Sequence, residues 1–277
     1  TLIIGTMMTM CSYTWMGMWM GLEINLLSII PLITKQNNKM ESEAAMKYFI
    51  TQALASAIFL MTIIMVLPLD NYLSKIQSLA INCAILTKMG AAPFHFWFPE
   101  VMEGLNWMNS TIMLTWQKIA PMSILMQTNK SMIFMSMIML TSMLISGIMG
   151  INQTSIKKIL AYSSINHTGW MIGAMLTNQM TWMIYLVIYS LMTINITFMM
   201  KKINTNSIAQ LINTLNQNKM MKLMFSMNFL SMGGIPPFIG FFPKWIVINS
   251  LINLEMFMTT TLMIVSTLMT IFFYIRI

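Results

Sequence analysis

Apolar residues run along this chain in stretches of about twenty, separated by short polar or charged breaks. A helix rising about 1.5 Å per residue needs about 20 apolar residues to cross a hydrocarbon core of about 30 Å, so each stretch predicts a membrane span. Dividing the sequence at its breaks gives ten spans, at roughly 1 to 12, 15 to 33, 45 to 67, 77 to 99, 108 to 127, 131 to 150, 156 to 177, 180 to 200, 223 to 249 and 256 to 275. The expected fold is all-α, a polytopic transmembrane helical bundle forming a single domain over 1–277. The chain begins at Thr1 without an initiator Met and stops at Ile277 after an apolar run, so it reads as a fragment lacking a short N-terminal piece and a C-terminal region.

The basic residues test this division, because loop Lys and Arg concentrate on one side of a membrane. One side receives ten, namely Lys35, Lys39, Lys47, Lys157, Lys158, Lys201, Lys202, Lys219, Lys222 and Arg276, and the other only Lys75 and Lys130. A span missed or invented in the middle would invert every later loop and scramble that asymmetry. The N-terminal side is therefore cytoplasm-like, or matrix-like in a mitochondrion.

Composition agrees: 57% of residues are hydrophobic, 8% are charged, and mean hydropathy is +0.72, where a soluble domain carries about 25% charge. The net charge of +8 is spread over basic clusters no longer than two residues, which argues against nucleic acid as a partner. The two cysteines, Cys11 and Cys83, lie apart in apolar stretches, and neither a metal pair nor an iron–sulfur ligand set can be assembled from them. Neither GxGxxG nor GxxxxGK[ST] occurs, so any redox chemistry must belong to a partner. The 38 Met residues, with abundant Asn and Ile, match an AT-rich genome that reads extra codons as Met, as animal mitochondria do.

Three lysines and one acid fall inside the predicted spans: Lys88, Lys118, Lys244 and Glu23. Lys88 lies about 11 residues from either end of its span, roughly 16 Å of helix, beyond the reach of a snorkelling side chain. Glu23 and Lys118 are similarly central, whereas Lys244 is nearer a span end, where snorkelling is an alternative. A charge at the bilayer centre costs at least about 2.5 to 3.5 kcal/mol, and such residues face a bundle interior or a hydrated path. A structural ion pair accounts for one lysine, but a single acid cannot neutralise three. A lysine whose charged and neutral forms are brought close in energy by burial can take up and release protons.

Helix breaks accompany two of these lysines. Lys88 leads into Gly90, Ala91, Ala92 and Pro93, while Gly233, Gly234, Pro236 and Pro237 precede Lys244. Proline frees backbone groups that at membrane depth must be buried in protein or face a wet cavity, and transporters build ion sites from such broken helices. A simple kink is the alternative, and Pro121 near Lys118 fits it well. The two histidines, His95 and His167, lie among Asn, Ser and Thr, and serve equally well as proton relays or as hydrogen-bonded packing residues. Asn166, Ser163 and Ser164 either line the same path or bond between helices. Trp97, Trp107, Trp116, Trp170 and Trp245 sit mostly near span ends or beside the breaks, in keeping with interfacial belts.

Five blocks carry a resemblance: Gly21-Leu22-Glu23-Ile24-Asn25; Lys88 through Ala92-Pro93-Phe94-His95-Phe96-Trp97 to Pro99-Glu100; Thr115-Trp116-Gln117-Lys118-Ile119-Ala120-Pro121; Ala161-Tyr162-Ser163-Ser164-Ile165-Asn166-His167 with Gly169-Trp170; and Gly233-Gly234-Ile235-Pro236-Pro237-Phe238 on to Pro243-Lys244-Trp245. Together they resemble the mitochondrial NADH dehydrogenase subunit 2 family, antiporter-like membrane subunits of respiratory complex I, in an insect-like wording. The resemblance implies two broken helices, a proton-translocating role for Glu23, Lys88, Lys118 and Lys244, and at least one more span beyond Tyr274 to Arg276. It further implies that Glu23 modulates Lys88 and that protons pass on through Lys118 and Lys244. No cofactor is implied on this chain; NADH, FMN, iron–sulfur clusters and ubiquinone belong to the complex. The implied partners are the other complex I subunits and membrane lipids, in the mitochondrial inner membrane with the Lys-rich loops on the matrix side. A stand-alone cation/proton antiporter and a non-pumping scaffold subunit are the alternatives.

Overall fold

In the computed structural model the described residues are 1–34, 38–66, 73–128, 131–216 and 219–276; Lys35 and Lys130 of the loop count lie outside them. The chain divides into two compact units, Thr1–Ser131 and Met132–Ile277.

The first unit contains α1 (Leu2–Cys11), α2 (Trp15–Ile33), α3 (Lys39–Val66), α4 (Leu73–Met89), α5 (Trp97–Gly104), α6 (Trp107–Leu114) and α7 (Trp116–Gln127). Thr14 caps α2 through its hydroxyl, which accepts from the Gly17 amide, and Pro31 near the other end leaves the helix intact. The apolar pattern buries Met18, Leu22, Leu26, Ile29 and Ile33 of α2 within the unit, and leaves Ile50, Leu54, Ile58 and Ile64 of α3 exposed. A helix in lipid has no need to hide its apolar face from its surroundings, so that exposure is what a membrane span presents. The Trp19 indole N–H donates to the Ser56 carbonyl at 3.2 Å and ties α2 to α3. Lys47, in α3, pairs with Glu100 of α5 at 2.7 Å.

The second unit contains α8 (Met132–Ile151), α9 (Ile156–Thr177), α10 (Gln179–Ile203), α11 (Ile208–Leu215), α12 (Lys219–Gly233), α13 (Phe241–Asn253) and α14 (Phe257–Arg276). Its centre is α9, buried from Ile159 through Leu176 and packed by α8, α10 and α13. Two loops are stitched by a β-bridge between Ser155 and Ser207, with Ile156 N–H donating to the Asn206 carbonyl at 3.0 Å.

The described helices confirm the all-α membrane class but not the count of about ten spans. Five of them, α2, α3 to Met65, α8, α10 and α14, are individually long and apolar enough to cross a membrane. The predicted spans 77–99 and 223–249 are each divided, as α4 with α5 and α12 with α13, by segments in which Gly90 and Gly234 take φ of 70° and 77°. That left-handed conformation favours glycine and ends a helix. The span 108–127 also divides, between α6 and α7, and α1 has only ten residues. An additional short helix, α11, lies in what the sequence pattern predicts to be a loop, capped by Ser207 and burying Leu211 and Leu215.

Candidate proton-carrying site

Local structure places each lysine at a helix discontinuity. Lys88 is in the last turn of α4, two residues before Gly90 ends it. The helix end leaves carbonyl groups without the usual partner four residues on. Side chains supply replacements: the Gln52 amide reaches the Lys88 carbonyl at 3.4 Å, and the Trp97 indole N–H donates to the Thr87 carbonyl at 3.0 Å. Lys118 is in the first turn of α7, directly after the break at Thr115. Lys244 is in the first turn of α13, and its ammonium donates back to the terminal carbonyls of α12, to Gly233 at 2.7 Å and Met232 at 3.4 Å. A helix C-terminus carries the negative end of its dipole, which suits an ammonium there. Gly234 makes the room, because a Cβ at that position would lie 2.8 Å from the lysine Nζ.

All three lysines are buried, at 8%, 3% and 5% relative exposure. Lys88 and Lys118 are brought together: both line one cavity of about 20 Å³, whose wall also carries Asn25, Gln52, Tyr48 and Gln117. A cavity holds a water once it exceeds about 10 to 15 Å³ and offers two to four polar partners, and this one meets both conditions. The Gln117 Nε2 is buried without a hydrogen-bond partner among the described residues. Glu23, half-buried on α2, makes no direct ion pair with Lys88 but lies within electrostatic reach of its ammonium.

His95 is buried within the first break, its ring 4.5 Å from that of Phe96, and is not among the residues lining the cavity. His167 lies in the second unit, where its Nδ1 is 2.8 Å from the Tyr185 hydroxyl and its ring packs 4.9 Å from Tyr189. Asn166, one residue earlier, donates to the Thr270 hydroxyl at 3.3 Å and so joins α9 to α14. Pro93 lies inside the first break, and Pro236 and Pro237 inside the second.

Sequence reasoning passed over Gln52, Gln117 and Tyr185. Gln52 and Tyr185 are isolated polar groups in apolar helices, and only a neighbouring helix reveals what they meet. For Gln117 an available signal is its position directly before the intramembrane Lys118. Among the described residues no cluster of His, Cys, Asp and Glu has the form of a metal site.

The family profile described as "NADH:quinone oxidoreductase/Mrp antiporter, TM" matches residues 12–270. NADH-ubiquinone oxidoreductase chain 2 of Anopheles gambiae is 48% identical over 280 residues, spanning 99% of this chain and 82% of its own length. The same-named protein of Locusta migratoria is 43% identical, spanning 100% of this chain and 82% of its own length. A chain in the structure of respiratory complex I from Thermus thermophilus with bound aureothin superposes with a TM-score of 0.91 at 25% identity, covering 99% of this chain and 67% of that one. A chain of the Mrp complex from Dietzia sp. DQ12-45-1b gives 0.87 at 14% identity, covering 99% and 58%, a likeness of fold. On this sequence identity, carried over nearly its whole length, the chain belongs to the NADH-ubiquinone oxidoreductase chain 2 family of antiporter-type membrane proteins.

Proposed function

We propose that this chain is a proton-translocating membrane subunit of respiratory NADH:ubiquinone oxidoreductase in the mitochondrial inner membrane, with its Lys-rich loops on the matrix side. The observation that carries the proposal is the cavity shared by Lys88 and Lys118, with Glu23 in electrostatic reach of Lys88. Two buried lysines around room for a water form a pair between which a proton can move. The attraction between Glu23 and Lys88 depends on their separation, so a small movement of α2 changes how readily Lys88 holds its proton.

Lys244 and His167 are the carriers of the second unit, and His95 is a candidate relay at the first break. Electron transfer from NADH to ubiquinone falls to partner subunits holding FMN and iron–sulfur clusters, since the sequence has neither a nucleotide fingerprint nor a cysteine ligand set. Moving one charge against 100 mV costs about 2.3 kcal/mol, which the redox reaction of the complex must supply.

The matching family profile is described as covering Mrp antiporters as well, which carries a second reading, a stand-alone cation/proton antiporter. Mild-detergent purification separates the two. Co-migration of this chain with flavin, iron–sulfur and NADH dehydrogenase activity supports the oxidoreductase subunit; purification free of them, with cation-dependent proton exchange in vesicles, supports the antiporter.

A further inference from the structure

We propose that the cavity beneath α11 holds an acyl chain of an anionic glycerophospholipid, whose phosphate is bound by Lys222. The cavity has a volume of about 330 Å³ and lies within the second unit, between α11, α12 and α14. Leu211 and Leu215 of α11 and Phe225 and Phe229 of α12 form its buried wall, and Ile275 of α14 is exposed at its edge. An apolar cavity stays dry, and left empty it deprives its lining of dispersion contacts. In a bilayer the apolar group at hand is a lipid tail. Moving a tail from the bilayer into the cavity changes its apolar surroundings little, so the chain gives occupancy without selectivity.

Selectivity comes from the rim. Lys222 and Asn216 are exposed there, and the Lys222 ammonium donates to the Asn216 Oδ1 at 3.3 Å. An ammonium has three donors, which leaves two for a phosphate. Lys219, also exposed, is three residues earlier on α12 and shares the same helix face. This end of the unit is drawn together by the bridge between Ser155 and Ser207 and by Arg276, whose guanidinium donates to the Ile151 carbonyl. Lys157 and Lys158 begin α9 here, and Lys201 and Lys202 end α10. The one acid of the unit, Glu255, is far from them, just before α14 and a whole helix away from Arg276. Cations without acids favour an anionic headgroup over a zwitterionic one, by about fivefold for each lysine near a membrane surface.

The test uses the assembled complex in phosphatidylcholine vesicles with a trace of phosphatidylglycerol carrying a photoreactive diazirine in one acyl chain, beside phosphatidylcholine with the same tail. Residues labelled on illumination are identified by mass spectrometry. The phosphatidylglycerol probe is expected to label Leu211 to Leu215 and Phe225 to Phe229 about fivefold more than the phosphatidylcholine probe does. Excess unlabelled phosphatidylglycerol should suppress that labelling. Lys222→Gln, an exposed change that leaves the apolar wall intact, should remove the preference. Ser226→Trp, which brings an indole to the cavity from an exposed position on α12, should abolish labelling there by both probes. Equal labelling by the two probes in the wild type is unselective bilayer contact and overturns the proposal. Absence of labelling means that protein fills the cavity and overturns it too, as does a preference that survives Lys222→Gln or labelling undiminished by Ser226→Trp. If Ser226→Trp does not assemble, Lys222→Gln decides.

Discussion

Filling the cavity between Lys88 and Lys118 without touching either lysine separates a proton path from an incidental void. Ala120 lies on its wall, buried at 1% exposure, so Ala120→Val adds two carbons beside a space of about 20 Å³. That space has room for about one water, and the added carbons take it. Overpacking a tight core typically costs about 1 to 3 kcal/mol, less here because the new atoms enter existing space, so the complex should still assemble. With no water between the lysines, pumping and coupled NADH:quinone turnover are expected to fall at least about tenfold, equivalent to about 1.4 kcal/mol on the transfer barrier. Ala120→Ser, which adds one polar atom and can itself hydrogen-bond, should retain most of the activity. Both variants are assayed in vesicles by dye-reported acidification beside NADH oxidation. An assembled Ala120→Val complex that pumps at the wild-type rate would refute the shared cavity as a step in the path.

Glu23→Gln removes the through-space attraction on Lys88 while keeping shape, and should lower pumping and turnover together with normal assembly, as read in the same vesicles. Gln52→Leu strips the Lys88 carbonyl of its side-chain donor and should lower the stability of the assembled complex by about 1 to 3 kcal/mol, seen as earlier thermal loss of NADH:quinone activity.

Much of this architecture is legible in the sequence because lipid is an unforgiving solvent. A charge in an apolar run is costly, so Glu23, Lys88, Lys118 and Lys244 stand out against their surroundings. Glycine and proline mark the breaks at Pro93 and at Pro236 and Pro237. The break at Thr115 escaped because neither residue type is there; Pro121, the visible signal, lies inside α7, where the helix continues through it. Trp170 reads as an interfacial aromatic by position, yet it is buried at 1% exposure in α9, while Trp245 is 53% exposed. Helix α11 was missed because eight residues are too few for a span and amphipathic enough to lie along a surface. The pairing of Tyr185 with His167 depends on the register of α9 against α10, which no local pattern encodes. The cavity is likewise a product of six helices meeting, α2 to α7, and only its lysines announce themselves in the sequence.

The central claim, that buried lysines of this chain carry protons for the complex, is tested most directly by Lys118→Met. Methionine preserves the apolar volume and removes the ammonium from the shared cavity. Proton pumping and NADH:quinone turnover are measured together in vesicles holding the assembled complex. The account predicts normal assembly with both rates falling together; wild-type pumping and turnover in the assembled variant would contradict it and make Lys118 a packing residue.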